Sequence, residues 1–488
     1  MTQDAPAPPA GGRGVRDAIL YVATNFVARG LAFLLVPLFA HLLPAPEYGA
    51  WGVALSVGNF ASLVLLFGLY VPVSRIFFEA RDEATRAGAF RAVLGFQLIG
   101  GAAAAAALDL TLRLLPLEAP ALAASRLAVW SAWLTNLSLV PLTLLRVRER
   151  VTAFAVVSSG AALVSLVAPL AALWWGPPTA AQALRGSLYG GAIMALVYVT
   201  LARRDVGAPL RWATLGALLA QGAQFLPQSL SSWILNLSDR LILERLLDLG
   251  QVGVYTAGYS IGMAVMLVCE GVGNAWFTFY LRHQQDPAHA PAIARASTSF
   301  VAAGAAAGTM GALFGPLVVG WVLPDRYAPA APVVAWVSLA YAMWAPYLVF
   351  VYTVMSLGRW TVLPVLNYVP AALNVGLNLL WVPRWGLEGA ALATLVSVAA
   401  LAALDGVLAA RVRPLPHELG RWAAVLAATA AAGVVGRLAG TAGAAAVGLR
   451  LAAALAWVAF VAAVPLRDEA ARVRRRLASL LGYHAACL

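Results

Sequence analysis

The sequence predicts an all-α polytopic membrane protein with about fourteen transmembrane helices. Three observations carry that prediction. Residues of the hydrophobic class make up 62% of the chain and charged ones only 11%, against about 25% charged in a soluble globular domain. The apolar residues fall in long runs separated by short charged or Pro/Gly-rich breaks. The arginines collect at the ends of those runs and alternate in density from one end to the next.

A bilayer core of about 30 Å is crossed by roughly 20 residues of helix. The breaks divide the chain into spans at 17–42, 49–74, 89–115, 120–145, 152–174, 185–202, 212–238, 251–281, 292–322, 331–357, 361–381, 387–410, 419–437 and 443–465. The first follows Arg13 and Arg16 and superficially resembles a signal peptide. It outruns the roughly 7 to 15 residues of a signal core and contains Asn25 and Arg29, so it reads as a retained helix.

All 33 basic residues are arginine, and the formal net charge is +12. They sit at span ends and form no single patch, which points to a membrane and excludes nucleic acid as partner. With the N-terminus inside, 23 arginines fall in inside segments and 9 in outside ones, and Arg29 lies within the first span. That asymmetry follows the positive-inside rule. It predicts both termini in the cytoplasm.

The two cysteines, Cys269 and Cys487, make a disulfide framework or metal site an unfavoured reading. The sequence has no Walker loop, no metal-ligand cluster and no nucleophile beside a base, so ATP-driven transport by this chain alone is not expected, nor is an enzyme or a cofactor. His283 and His289 read as solvated loop residues.

Transporters are commonly built from duplicated halves. At an offset of 204 residues LLPAPEYGAWGVALS aligns with LLDLGQVGVYTAGYS, pairing Leu42, Leu43, Gly49, Trp51 and Ser56 with Leu246, Leu247, Gly253, Tyr255 and Ser260; Arg91 pairs with Arg295. The match joins spans 1 and 2 in one half and spans 7 and 8 in the other. The expected organisation is a tail at 1–16, an N-lobe at 17–205, a C-lobe at 206–410, two further helices within 411–466, and a basic tail at 467–488 suited to anionic headgroups.

Four stretches then carry a resemblance: HLLPAPEYGAWG (41–52), LSDRLILERLLDLGQVGVYTAGYS (237–260), LPDRYAPAAPVV (323–334) and LNVGLNLLWVPRWGLEGAALAT (373–394). In order and in helix position they are similar to the polysaccharide and O-antigen (Wzx-type) flippases of the multidrug/oligosaccharidyl-lipid/polysaccharide (MOP) exporter superfamily. The resemblance implies two six-helix, MATE-like lobes around a central cavity, two trailing helices, and a lipid-linked oligosaccharide as cargo. A polysaccharide polymerase and a chain-length regulator are the protein partners expected with such a cargo.

The polar stretch from Leu226 to Ser260 concentrates the candidate site. Arg29 is costly at mid-membrane, about 2.5–3.5 kcal/mol on insertion scales. Either it grips a lipid diphosphate through paired donors or it pairs internally, with Asp239 or a backbone carbonyl. Asn25, Gln228, Asn236 and Arg240 are expected beside it in a polar cavity, with Asn236, Asp239 and Arg240 across that cavity from Arg29. Neighbours on a helix point about 100° apart, so Asp239 and Arg240 are not expected to form a face-to-face pair, whereas Arg240 and Glu244 can. Glu244, Arg245 and Asp248 read as an interfacial cluster.

Glu270 is the most deeply placed carboxylate in this reading. With Asp239 it is the candidate gate or ion-coupling residue for a proton or sodium gradient, and its alternative is a neutral or paired structural role. Trp344, Tyr347, Tyr352, Trp381 and Trp385 either stack on sugars or form interfacial belts. The pairs Gly258/Gly262, Gly304/Gly308 and Gly311/Gly315 predict close helix packing.

The expected activity is alternating-access flipping of an isoprenoid-diphosphate-linked oligosaccharide for O-antigen or exopolysaccharide synthesis. Alternatives are a lipid II flippase, a MATE-like drug or cation exporter, a membrane glycosyltransferase or polymerase, and a structural scaffold. Short outside loops without a paired acidic centre count against the glycosyltransferase.

Overall fold

Proline and glycine punctuate helices that are otherwise apolar on every side, and those breaks set the architecture. The computed structural model describes residues 33–79, 82–203, 212–357, 362–440 and 443–467. Every regular element among them is helical, as a chain in lipid requires, since a helix satisfies its own backbone. Contacts divide the chain into two compact units, Met1–Leu230 and Ser231–Leu488.

In the first unit the elements are α1 (Phe33–Leu42), α2 (Ala45–Leu66), α3 (Tyr70–Glu79), α4 (Glu83–Gly95), α5 (Gly101–Leu112), α6 (Ala119–Asn136), α7 (Leu139–Val147), α8 (Val151–Trp174), α9 (Ala180–Ala202) and α10 (Trp212–Ala223). Prolines in the first turns of α2 and α6 start those helices. Asp82 and Thr179 cap α4 and α9 by accepting from Thr85 and Gln182 backbone N–H groups. Between α2 and α3 the chain bends through Phe67 and Gly68, both at positive φ. That bend receives α10 so closely that a Cβ on Gly68 would lie 2.1 Å from the Gly222 carbonyl oxygen.

The second unit takes up the latter part of α11 (Leu226–Leu237) and continues with α12 (Asp239–Leu246), α13 (Leu249–Gly262), α14 (Ala264–His283), α15 (Ala290–Val322), α16 (Ala331–Ala342), α17 (Trp344–Ser356), α18 (Leu363–Val412), α19 (Leu419–Leu438) and α20 (Ala444–Ala463). Its core is a face of small residues on α15. A Cβ on Gly304 would fall 2.6 Å from Ala345, on Gly308 2.5 Å from Ala342, and on Gly315 2.4 Å from Val334. In a membrane, where burial of apolar surface does not drive helices together, such close backbone approach supplies the dispersion contacts that do. Cys269 of α14 is fully buried, its thiol directed at the Tyr341 carbonyl.

Eleven helices among the described residues are long and apolar enough to cross a bilayer. Three departures from the fourteen expected spans account for the difference. Span 1 is described only from Phe33. Span 7 is two short helices, α10 and α11, broken near Gln224. Spans 11 and 12 are run together in α18, within which Gly386 (φ 55°, ψ −135°) makes a sharp kink that a side-chain-bearing residue would resist.

The 204-residue repeat is visible within each unit. One helix ends at Leu42 and the next begins at Ala45; 204 residues on, one ends at Leu246 and the next begins at Leu249.

The α19–α20 pair is fastened to α15 by Arg450, which is buried and donates from Nε to the Leu313 carbonyl (2.6 Å) and from Nη2 to the Gly436 carbonyl (2.8 Å). The second acceptor lies at the C-terminal end of α19, where helix carbonyls lack partners and the dipole favours a cation.

Candidate functional site

The densest polar cluster of the second unit forms where α11 gives way to α12 at Ser238. In a continuous helix the Arg240 N–H would donate to the Asn236 carbonyl; here it donates to Asp239 Oδ1 at 2.9 Å. The freed Asn236 carbonyl accepts from Arg240 Nη1 at 2.9 Å, and the same Nη1 donates to Asp239 Oδ1 at 2.8 Å. Asp239 and Arg240 therefore do pair, contrary to the expectation from helical geometry. The break lets the long arginine arm curl back over its own first turn.

Three phenols complete the cluster. Tyr255 donates to Asp239 Oδ2 at 2.5 Å, Tyr341 donates to Asn236 Oδ1 at 3.1 Å, and the Tyr259 and Tyr341 hydroxyls lie 2.7 Å apart. The Arg240 guanidinium sits 4.3 Å over the Tyr259 ring, where the π face stabilises the cation. Asp239 and Arg240 are 1% and 4% exposed. In this conformation carboxylate, carbonyl and ring faces together satisfy the cation, and its contacts lie within the second unit.

Glu244 is buried, 3.7 Å from Arg245, so the expected interfacial cluster of Glu244, Arg245 and Asp248 is only partly interfacial. Asp248 caps α13 instead; hydrogen bonds from the Gln251 side chain and backbone hold its carboxyl below the usual range.

Gln228 is partly buried on α11 in the first unit, and Glu270 is partly exposed on α14. Neither belongs to the tyrosine cluster. Arg29 and Asn25 lie outside the described residues.

Two further polar features lie apart from that cluster. On the first limb of α18, Asn378 donates to the Asn374 carbonyl (2.8 Å) and side-chain oxygen (3.1 Å), which leaves Asn374 Nδ2 and Asn378 Oδ1 buried without hydrogen bonds. In the first unit, a groove of about 530 Å³ runs beside α3 and α7. Val71, Leu139 and Leu142 make it apolar, and Ser74, Ser138, Thr143, Arg75 and Arg146 make its polar lining. It suits an anionic group attached to an apolar chain. Arg75 and Arg146 had registered in the sequence only as positive-inside charges. No group of three or more His, Cys, Asp or Glu side chains among the described residues is placed to hold a metal.

Eleven long apolar helices among the described residues define a multi-pass integral membrane protein. Residues 15–277 match the family described as polysaccharide biosynthesis protein. The chain belongs to that family. No curated protein matches it.

Solved structures show the same fold. Lipid II flippase MurJ in an inward closed conformation aligns with a TM-score of 0.70 at 11% identity, over 91% of this chain and 99% of that one. An inward-facing multidrug resistance MATE family transporter of the MOP superfamily aligns at 0.61 and 16% identity, over 78% and 97%. A point mutant of the Vibrio cholerae MATE transporter VcmN aligns at 0.58 and 14% identity, over 81% and 96%. At these identities the likeness is one of fold.

Proposed function

We propose that the protein flips an isoprenoid-diphosphate-linked oligosaccharide across the bacterial cytoplasmic membrane by alternating access, for surface polysaccharide synthesis. The observation that carries this reading is the family match across more than half of the chain; the carrier fold shared with flippases and exporters is compatible with it. Both termini are cytoplasmic in this reading, as the arginine asymmetry favours. Arg29 and Asn25, with Arg75 and Arg146 in the amphipathic groove, receive the diphosphate, while Gln228 and Asn236 face the sugar path. The Asp239–Arg240–tyrosine cluster acts as a gate: its charges are paired when it is closed and offered to cargo when it opens. Transport is coupled to a proton or sodium gradient, with Glu270 a candidate for that role, and the product passes to a polymerase and its chain-length regulator.

The test is deletion of the gene followed by analysis of lipid-linked intermediates. The reading requires loss of a surface glycan with accumulation of its lipid-linked repeat unit on the cytoplasmic side. Accumulation of the peptidoglycan precursor would shift the reading to a lipid II flippase. Loss of drug resistance with an intact glycan would shift it to an exporter, and loss of the precursor itself would indicate a synthase.

A further inference from the structure

The second limb of α18 carries a carboxylate that the cluster at α12 does not use. Asp405 is fully buried, and neither of its side-chain oxygens has a hydrogen-bond partner among the described residues. It lies seven residues before Val412, about 10 Å along the helix at 1.5 Å per residue, so it is well inside the apolar span. Beside it α17 packs closely: a Cβ on Gly406 would stand 2.8 Å from the Phe350 ring.

No described residue forms a hydrogen bond or ion pair with that carboxylate. From α17, Tyr347 is the titratable side chain within electrostatic reach, and Tyr347 in turn reaches Tyr352, which feels Glu270 of α14. His417, in the connection after α18, lies against the same Phe350 ring, and α12, α13 and α16 also pack on α18. Their Asp239, Arg240, Tyr255, Tyr259 and Tyr341 are bound to one another, and Glu244 lies beside Arg245. A bare carboxylate in a dry apolar site is strongly disfavoured, and such groups neutralise instead. A sodium ion would need several oxygen ligands around it, and Asp405 belongs to no group of three or more His, Cys, Asp or Glu side chains among the described residues.

We propose that Asp405 is a proton-binding site of the second unit, occupied when α17 and α18 are packed as in this structure and emptied when they separate. A hydrated proton adds to a carboxylate oxygen while the junction is wet, forming the O–H bond. Closure buries the neutral acid, and reopening returns the proton to water and restores the carboxylate. Since only the protonated form tolerates closure, proton concentration biases the conformational equilibrium.

This inference deepens the flippase reading and rests on it for the transport arm of its test. The full-length protein in proteoliposomes is assayed for flipping of a fluorescent isoprenoid-diphosphate-linked sugar under imposed pH gradients. One coupled proton gives up to about a tenfold rate response per pH unit. D405N, which mimics the neutral acid, should flatten that response, while E270Q should retain part of it. A second arm needs no transport: the infrared spectrum at neutral pH should show a protonated-carboxyl band in the wild type that is missing in folded D405N. An unchanged band, a wild-type gradient response in D405N, or loss of a sodium response in its place would each overturn the proposal. If the wild-type protein flips no such lipid, the flippase reading fails, while the infrared arm still decides the proton site.

Discussion

The Tyr255 hydroxyl donates to Asp239 Oδ2 at 2.5 Å inside the second unit, and the other oxygen of that carboxylate takes the Arg240 guanidinium. Each of these groups is buried, so the energetics are asymmetric. Removing one partner leaves a desolvated charge behind, at a cost of about 3–5 kcal/mol. D239N should therefore lower unfolding stability by about that amount, measured in detergent with chemical denaturant. Y255F should cost only about 1–2 kcal/mol. The double variant D239N/R240Q should recover much of the D239N loss, and a double variant no more stable than D239N would show that the pairing is not what holds the cluster.

The glycine face of α15 makes a second prediction. A side chain at Gly308 has only 2.5 Å before it meets Ala342, and neither backbone can retreat without breaking the contacts at Gly304 and Gly315. G308L should destabilise the protein by at least the roughly 1–3 kcal/mol typical of overpacking, with G308A a smaller effect in the same direction. Thermal unfolding of purified variants decides this, and an unaffected G308L would mean that the α15–α16 approach is looser than described.

His417, in the connection between α18 and α19, is enclosed by Phe350 and Trp422, and its Nδ1 has no hydrogen-bond partner among the described residues. Burial pushes its pKa down from 6.5 to about 4. The unfolded chain therefore takes up a proton more readily than the folded one between those values. Stability from this residue is fully present above about pH 6.5 and is lost as pH falls toward 4, by on the order of 1–3 kcal/mol. H417F should reduce the slope of unfolding stability between pH 6.5 and 4.5; an unaltered slope would assign the pH dependence elsewhere.

Arg450 covers two backbone carbonyls on two different helices. R450A uncovers both and leaves a void, with an expected loss of about 2–4 kcal/mol concentrated in the α19–α20 pair. Limited proteolysis near residues 413–418 should release that pair earlier than in the wild type. R450K should be intermediate, because one ammonium does not match the reach of the planar fork.

On the proposed flippase reading, R75Q and R146Q in the groove of the first unit should each raise the KM for a lipid-linked sugar about tenfold, the worth of one charge-assisted contact of about 1.4 kcal/mol. Melting temperatures should stay near wild type because both side chains are exposed. A lowered melting temperature with unchanged KM would make these arginines structural.

The all-helical class was legible because composition and run length follow directly from the solvent. The joint at Leu42–Ala45 and its counterpart at Leu246–Leu249 were legible as well, since both are punctuated in sequence. The pairing of Asp239 with Arg240 was not: it depends on the arginine arm curling back over its own first turn at the Ser238 break, which residue spacing does not give. Tyr255, Tyr259 and Tyr341 were hidden for another reason. They converge from α13 and α16, and no local spacing announces a contact across 82 positions, as between Tyr259 and Tyr341. Asp405 was missed because a single acidic residue near the end of a span looks like an interface marker until its burial is known.

Cys269 supplies a built-in clock. Its thiol is sealed where α14 meets α15 and α16, against Tyr341 and Gly304. With Cys487 replaced by serine, a thiol reagent can react only at that seal. The half-time of modification then counts how often the junction parts, and added cargo or an imposed gradient becomes readable as a change in that frequency without any label being engineered into the bundle.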